Sequence, residues 1–189
     1  AAFDAPQIGT FLHFLLENVT RDVLAEGGFA AVEQEELHRL VRRYTERYVE
    51  QELHNFQNRN ARFRYLFARL RTTAYAVIDQ VAAELRCSDF VPMAFELSFG
   101  GKNGALSAVT ISEPDGELRV GGKVDRVDGW LHDGRLYLRV VDYKSGRKSF
   151  DLANVRMGLD IQMLLYLFTL QKEGAHYFGQ EIEPAGVLY

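Results

Sequence analysis

Asp133-Gly134 stands between two β-rich runs, and it constrains the fold of this chain more than any other short feature. Such a dipeptide is a strong signal for a two-residue hairpin turn. With that turn, His132 and Arg135 form the first pair. Trp130 then faces Tyr137, Asp128 faces Arg139 and Val127 faces Val140. These are an aromatic pair, an opposite-charge pair and a β-branched pair, all favourable across strands. A four-residue loop keeps this register and a three-residue loop breaks it. The same register sets Asp125 opposite Asp142. Cross-strand Cβ atoms lie roughly 4.5–5.5 Å apart, and like charges so placed are destabilising. A divalent metal ion would offset that repulsion.

Side chains alternate in face along a strand. Leu136, Leu138, Val140, Asp142 and Lys144 therefore share one face, three apolar residues followed by an acid and a base. Paired carboxylates suit Mg²⁺ or Mn²⁺, hard ions that take oxygen donors and keep waters. Lys144 follows Asp142 by about 6.6 Å along an extended chain. From there it could hold a water nucleophile or neutralise charge on a phosphate, while the metal activates water. The alternative is a surface hairpin with scattered charges; the continuation of an apolar face by Asp142 and Lys144 argues against it.

Upstream, the spacing of apolar residues predicts helices. The first spans about Gln7 to Ala25, with Phe11, Phe14, Leu15 and Val19 apolar and Gly27-Gly28 as its stop. The second spans about Ala30 to Asn55, and the third about Ala61 to Arg86. The period then changes to two. Pro92–Phe99, Ala105–Ser112, Glu117–Leu131 and Arg135–Tyr143 read as strands, punctuated at Lys102-Asn103-Gly104 and Pro114-Asp115-Gly116. A last helix is expected from Asp151 or Leu159 to Lys172, with Gly174 as its stop, and a final strand over Ala185–Tyr189. The fold class is α/β or α+β, with a mixed β-sheet core flanked by helices and a helical N-terminal part.

Its 189 residues suit one domain with a real core. The balance of 47% hydrophobic and 25% charged residues is that of an ordinary globular protein. No apolar run is long enough to span a bilayer, and no secretory signal is visible, so no membrane role is expected. One cysteine, Cys87, excludes an internal disulfide and any all-cysteine metal or iron–sulfur site made within this chain. It points to a reducing, cytoplasmic setting. The formal net charge of −4 argues mildly against nucleic-acid binding but leaves room for a local basic groove. Arg59, Arg62, Arg64, Arg69 and Arg71 form a basic cluster that reads either way, as that groove or as a solvated helix face. The chain opens on Ala1 and closes on an apolar run, which reads as a piece of a longer protein.

Four further residues are candidates with open alternatives. Glu96 lies mid-strand, sharing a face with Ala94 and Ser98, either solvated or part of a site. His13 lies on an apolar-rich helix as a hydrogen-bonded core residue or a metal ligand. Gln162 and Tyr166, four apart, share a helix face. Glutamine on so apolar a helix needs a partner: it lines a site or bonds the backbone. No Ser/His/Asp order, phosphate-cradling glycine loop or Cys/His metal spacing is present.

Together these residues resemble the PD-(D/E)XK nuclease superfamily, and within it the RecB-type nuclease domains, those of AddB-type subunits most of all. The likeness is carried by Gly9-Thr10 with His13, by Gly122 with Asp125-Arg126-Val127-Asp128, by Asp142-Tyr143-Lys144-Ser145-Gly146, and by Gln162 with Tyr166. It covers nearly the whole chain. The resemblance implies a restriction-endonuclease-like fold, with residues 1–189 as a single nuclease domain of a larger helicase–nuclease subunit. It implies that His13, Asp125, Asp142 and the Tyr143 carbonyl ligate Mg²⁺ (or Mn²⁺), and that Lys144 is the catalytic lysine. Gln162 and Tyr166 would orient substrate or catalytic groups, and Glu96 would be a further acidic member. The implied reaction is metal-dependent hydrolysis of DNA during end processing and double-strand-break repair, of exodeoxyribonuclease type, beside an AddA-type helicase–nuclease subunit.

Two positions depart from the family pattern. Val124 precedes Asp125 where the superfamily has a proline, which RecB-type domains tolerate. AddB-type proteins carry an iron–sulfur cluster on four cysteines flanking the core; this chain has Cys87 alone, so no cluster is expected within it, with lower stability or DNA affinity as the result. Two other readings are a catalytically silent DNA-binding or scaffolding module, and an interaction domain with incidental acids. Degenerate nucleases usually lose an acid or the lysine, and both are kept here.

Overall fold

The computed structural model describes residues 5–52, 61–101, 104–113, 116–143 and 161–189. Lys144, Ser145, Gly146 and Arg59 lie outside them, as do the expected start of the last helix and the end of the second. The described residues form two compact units, Ala1–Asp89 and Phe90–Tyr189.

The first unit is three helices: α1 (Ala5–Ala25), α2 (Gln34–Glu52) and α3 (Ala61–Arg86). Phe11, Leu15, Val19 and Val23 recur on α1 at helical spacing and are all buried, as are Leu37, Leu40, Val41, Tyr44 and Tyr48 on α2. The buried stripe of α3 is Leu70, Ala74, Ile78, Ala82 and Leu85, while Val77 and Val81 are half-buried. Gly27 and Gly28 stop α1 with φ of 103° and 95°, values that glycine adopts without a Cβ clash. α2 starts at Gln34, not Ala30. The guanidinium of Arg86 donates to the carbonyls of Phe29 at 2.9 Å and Val32 at 2.7 Å, so these residues form a braced loop instead of a helical turn.

The second unit is built on a mixed sheet. Its strands are β1 (Val91–Phe99), β4 (Gly122–His132), β5 (Arg135–Val141) and β6 (Ile182–Leu188), in the order β1-β4-β5-β6. β5 and β6 are parallel and the other pairs antiparallel. β2 (Val109–Glu113) and β3 (Gly116–Val120) form a separate ribbon. The expected strand over Ala105–Ser112 is shorter, with Leu106 making only an isolated bridge to Phe99. The expected run from Glu117 to Leu131 divides at Gly121, where the chain leaves the ribbon and enters the main sheet; a Cβ there would crowd the Phe99 carbonyl at 3.1 Å.

The parallel β5–β6 connection passes through α4 (Ile161–Phe178), as parallel pairing requires a crossover. Met163, Tyr166, Leu167 and Leu170 of α4 pack with Leu97, Phe99, Val124, Val127, Leu138 and Val140 in one core. Gly174 does not end this helix. It is buried inside it, and a Cβ there would overlap Cδ1 of Ile182, so the glycine admits β6 close to the helix. The helix continues past Lys172 to Phe178 and stops at Gly179, φ 74°.

The β4–β5 hairpin holds the expected register: His132 pairs with Arg135, Trp130 with Tyr137, Asp128 with Arg139 and Val127 with Val140. Asp133 and Gly134 have φ of 48° and 77°, both left-handed, as a two-residue primed turn requires.

Candidate active site

The ladder between β4 and β5 ends at Arg126–Val141, one step before the expected Asp125–Asp142 pair. β5 stops there because the next amides turn elsewhere. The Asp142 N–H donates to the Leu188 carbonyl at 3.0 Å, on the β6 side. The Tyr143 N–H donates to Oδ2 of Asp125 at 2.6 Å. Asp125 thus meets the end of β5 through its side chain, not through backbone pairing.

The carboxylate that stands across from Asp125 is Glu96. Phe95 pairs with Arg126 and Leu97 with Val124, which leaves Glu96 and Asp125 facing each other in the register. One carboxylate oxygen from each lies within 4.8 Å of the other. Asp125 is only 8% exposed, and Glu96 is half-buried. The expected face-sharing of Glu96 with Ala94 and Ser98 does not hold. Glu96 has φ 52°, left-handed, and β1 carries a bulge between Pro92 and Ala94. These irregularities shift the alternation, so Ala94 joins Leu97 and Phe99 in the core. A non-glycine residue at positive φ costs of order 1–3 kcal/mol, and such strain concentrates at functional positions.

Lys123 was not foreseen as part of this group. Its Nζ forms an ion pair with Oε2 of Glu96, beside Asp125. Its position two residues before Asp125, and thus on the same strand face, was the available signal.

On the same strand, Arg126 and Asp128 are both fully buried. Arg126 grips Asp128 with two parallel bonds, Nε to Oδ1 at 2.6 Å and Nη2 to Oδ2 at 2.9 Å. Arg139 adds Nε to Oδ2 at 2.8 Å. Nη1 of Arg126 donates to the hydroxyl of Tyr143 at 2.7 Å. Burial pushes the Tyr143 phenol up to about 12, over the opposing pull of the Arg126 guanidinium. The Asp128–Arg139 pair was foreseen; the grip of Arg126 and the part of the Tyr143 ring were not.

Gln162 and Tyr166 lie one helical turn apart at the start of α4 and are bonded to each other, with Nε2 donating to the hydroxyl at 2.5 Å. The glutamine's partner is therefore a side chain, not the backbone. Tyr166 is 1% exposed and stacks on Phe99 with ring centres 4.4 Å apart. Burial raises its phenol above the ordinary value, with the Gln162 bond opposing. A Cβ on Gly122 would overlap the Tyr166 hydroxyl and crowd Gln162 Nε2, so the pair lies against β4 three residues before Asp125. His13 lies half-buried on α1, in the helical unit. Lys144 lies outside the described residues.

The donor set fits a hard divalent cation. Two carboxylates with oxygens within 4.8 Å can share one ion at ligand distances of about 2.0–2.6 Å. With the Gln/Tyr pair beside them, the same residues that carry the sequence resemblance cluster at the start of β4 and the end of β5.

A profile of the PD-(D/E)XK nuclease superfamily matches residues 1–189. The chain belongs to that superfamily. Among its PD-(D/E)XK relatives are proteins named as the AddB-type subunit of an ATP-dependent helicase/deoxyribonuclease. That of Oceanobacillus iheyensis is 32% identical over 188 residues, 98% of this chain and 16% of the relative. That of Exiguobacterium sibiricum is 32% identical over 189 residues, covering 99% and 16%. That of Acetivibrio thermocellus is 32% identical over 186 residues, covering 97% and 16%. This PD-(D/E)XK chain thus spans about 16% of the length of the curated relatives it matches. Among the described residues, no helix is long and apolar enough to cross a membrane.

Proposed function

We propose that this chain is a Mg²⁺- or Mn²⁺-dependent deoxyribonuclease domain that hydrolyses DNA phosphodiester bonds. The observation that carries the reading is the buried Asp125 carboxylate facing that of Glu96 across β1 and β4. Like charges directly opposite weaken a sheet, and a shared dication turns that arrangement into a binding site. The proposed ligands are His13, Asp125, Asp142 and the Tyr143 carbonyl, with Glu96 as a further acid beside them. When bound, the metal supplies an activated water and polarises a phosphoryl oxygen.

The chain's own residues prepare that chemistry. The Tyr143 N–H holds the Asp125 carboxylate in one orientation. Lys144, two residues past Asp142, is the proposed catalytic lysine, which orients the attacking water and neutralises charge on the phosphate. Gln162 and Tyr166 orient the substrate from the α4 side. The names of the relatives support a wider role: an exodeoxyribonuclease acting with an AddA-type helicase–nuclease subunit in DNA end processing and double-strand-break repair.

The test is incubation with linear single- and double-stranded DNA and Mg²⁺ or Mn²⁺, beside Asp142→Ala and Lys144→Ala. Cleavage by the parent and none by either variant is expected. Cleavage that survives both substitutions contradicts the assignment. DNA binding without turnover in any divalent ion favours a silent module with the nuclease fold.

A further inference from the structure

A fully buried ion pair is weak evidence for stability, because well-packed apolar residues often do as well in its place. Arg126 and Asp128 are such a pair, each 0% exposed, in the central strand of the sheet. The arginine does more than satisfy the aspartate. After both parallel bonds to Asp128, its remaining terminal nitrogen reaches the Tyr143 hydroxyl at 2.7 Å, and the guanidinium carbon lies 5.6 Å from the Tyr143 ring centre. The amide of that same tyrosine holds Asp125 at 2.6 Å. One residue earlier, the Asp142 amide is tied to Leu188.

The segment that follows β5 is therefore fixed at three points. One is to β6 through Asp142, one to the Asp125 carboxylate through the Tyr143 amide, and one to the buried arginine through the Tyr143 hydroxyl. The first two act on the main chain. Only the third fixes the direction in which the tyrosine side chain leaves, and through it the orientation of the peptide carrying Asp142 and leading to Lys144.

We infer that Tyr143, anchored by the Arg126–Asp128 pair, is a positioning residue for the acid cluster at Asp125. Its hydroxyl touches no reacting atom. It transmits the rigidity of a buried, directional ion pair to the carboxylates and to the chain that bears the lysine. This inference rests on the metal-dependent reading above. Groups that orient metal-binding side chains typically contribute 10–100-fold to affinity or activity.

The experiment compares the parent chain, Tyr143→Phe and Arg139→Met by Mn²⁺ titration calorimetry, thermal melting and DNA cleavage kinetics. Tyr143→Phe removes the hydroxyl alone. It is expected to keep a cooperative melt, weaken Mn²⁺ binding by roughly 10-fold or more, and lower kcat with little change in KM for DNA. Arg139→Met cuts the arm of the network that leads away from Asp125. It is expected to lower the melting temperature while leaving Mn²⁺ affinity and kcat near the parent's. Equal Mn²⁺ affinity and kcat in Tyr143→Phe and the parent overturn this inference alone. Loss of metal affinity in both variants in proportion to lost stability also overturns it, since that marks a purely structural role. A parent that binds no Mn²⁺ overturns the metal reading itself.

Discussion

At Asp128, β4 surrounds a buried carboxylate with two guanidinium groups; at Asp125, three residues earlier, it sets another buried carboxylate against a glutamate. The first neighbourhood has regular backbone and a complete set of directional bonds. The second has a strand bulge, a glutamate at φ 52° and like charges facing. Both lie in one strand, so neither burial nor secondary structure separates them. Charge matching does. Where a group serves the fold, its counter-ions come from the chain; where it is arranged to take a ligand, part of the counter-charge is left to the ligand.

The contrast can be broken most forcefully at Asp128. Asp128→Ala leaves Arg126 buried and uncompensated, and it is expected to destabilise the second unit by about 3–5 kcal/mol. Chemical denaturation measures this; a loss below about 1 kcal/mol would mean the network is not needed by the fold.

Gly122→Ala tests the wall beside the acids. The added Cβ must displace the buried Tyr166 hydroxyl, and overpacking of this kind costs about 1–3 kcal/mol. Melting curves and DNA cleavage are both expected to fall.

At Glu96 the two readouts are expected to move in opposite directions. Glu96→Gly relieves the positive φ and one of two facing charges, so stability is expected to rise by about 1 kcal/mol. Mn²⁺ affinity, measured by calorimetry, falls. A simultaneous loss of stability would show that Glu96 belongs with Asp128 in kind.

The smallest effect is expected at Lys123, whose side chain is 53% exposed and pairs with Glu96. Exposed pairs contribute about 0–1 kcal/mol. Lys123→Met removes a positive charge that competes with the cation, so Mn²⁺ should bind up to a few-fold tighter, with stability nearly unchanged.

The legible and illegible parts of this fold divide along the same strand. The hairpin register could be read because Asp133-Gly134 admits a narrow class of turns, and one turn sets every pair after it. The helical seams could be read because Leu37, Leu40, Val41, Tyr44 and Tyr48 repeat at helical spacing. Glu96 could not be placed, because a bulge and a left-handed residue have no period; Pro92 inside a strand was the only hint. The Asp125–Asp142 pairing was extrapolated one step too far, since a register says nothing about where hydrogen bonds turn to another strand or to a side chain. Gly174 misled because a packing glycine and a stopping glycine look alike in sequence; Ile182, which decides between them, comes from β6.

The most direct measurement is a crystal structure of this chain soaked with Mn²⁺, with the ion located by its anomalous signal. The account predicts a peak bonded to Asp125 at about 2.1 Å, near Glu96 and Asp142. Anomalous maps with no peak at these acids, at a Mn²⁺ concentration that saturates the protein in solution, would contradict it.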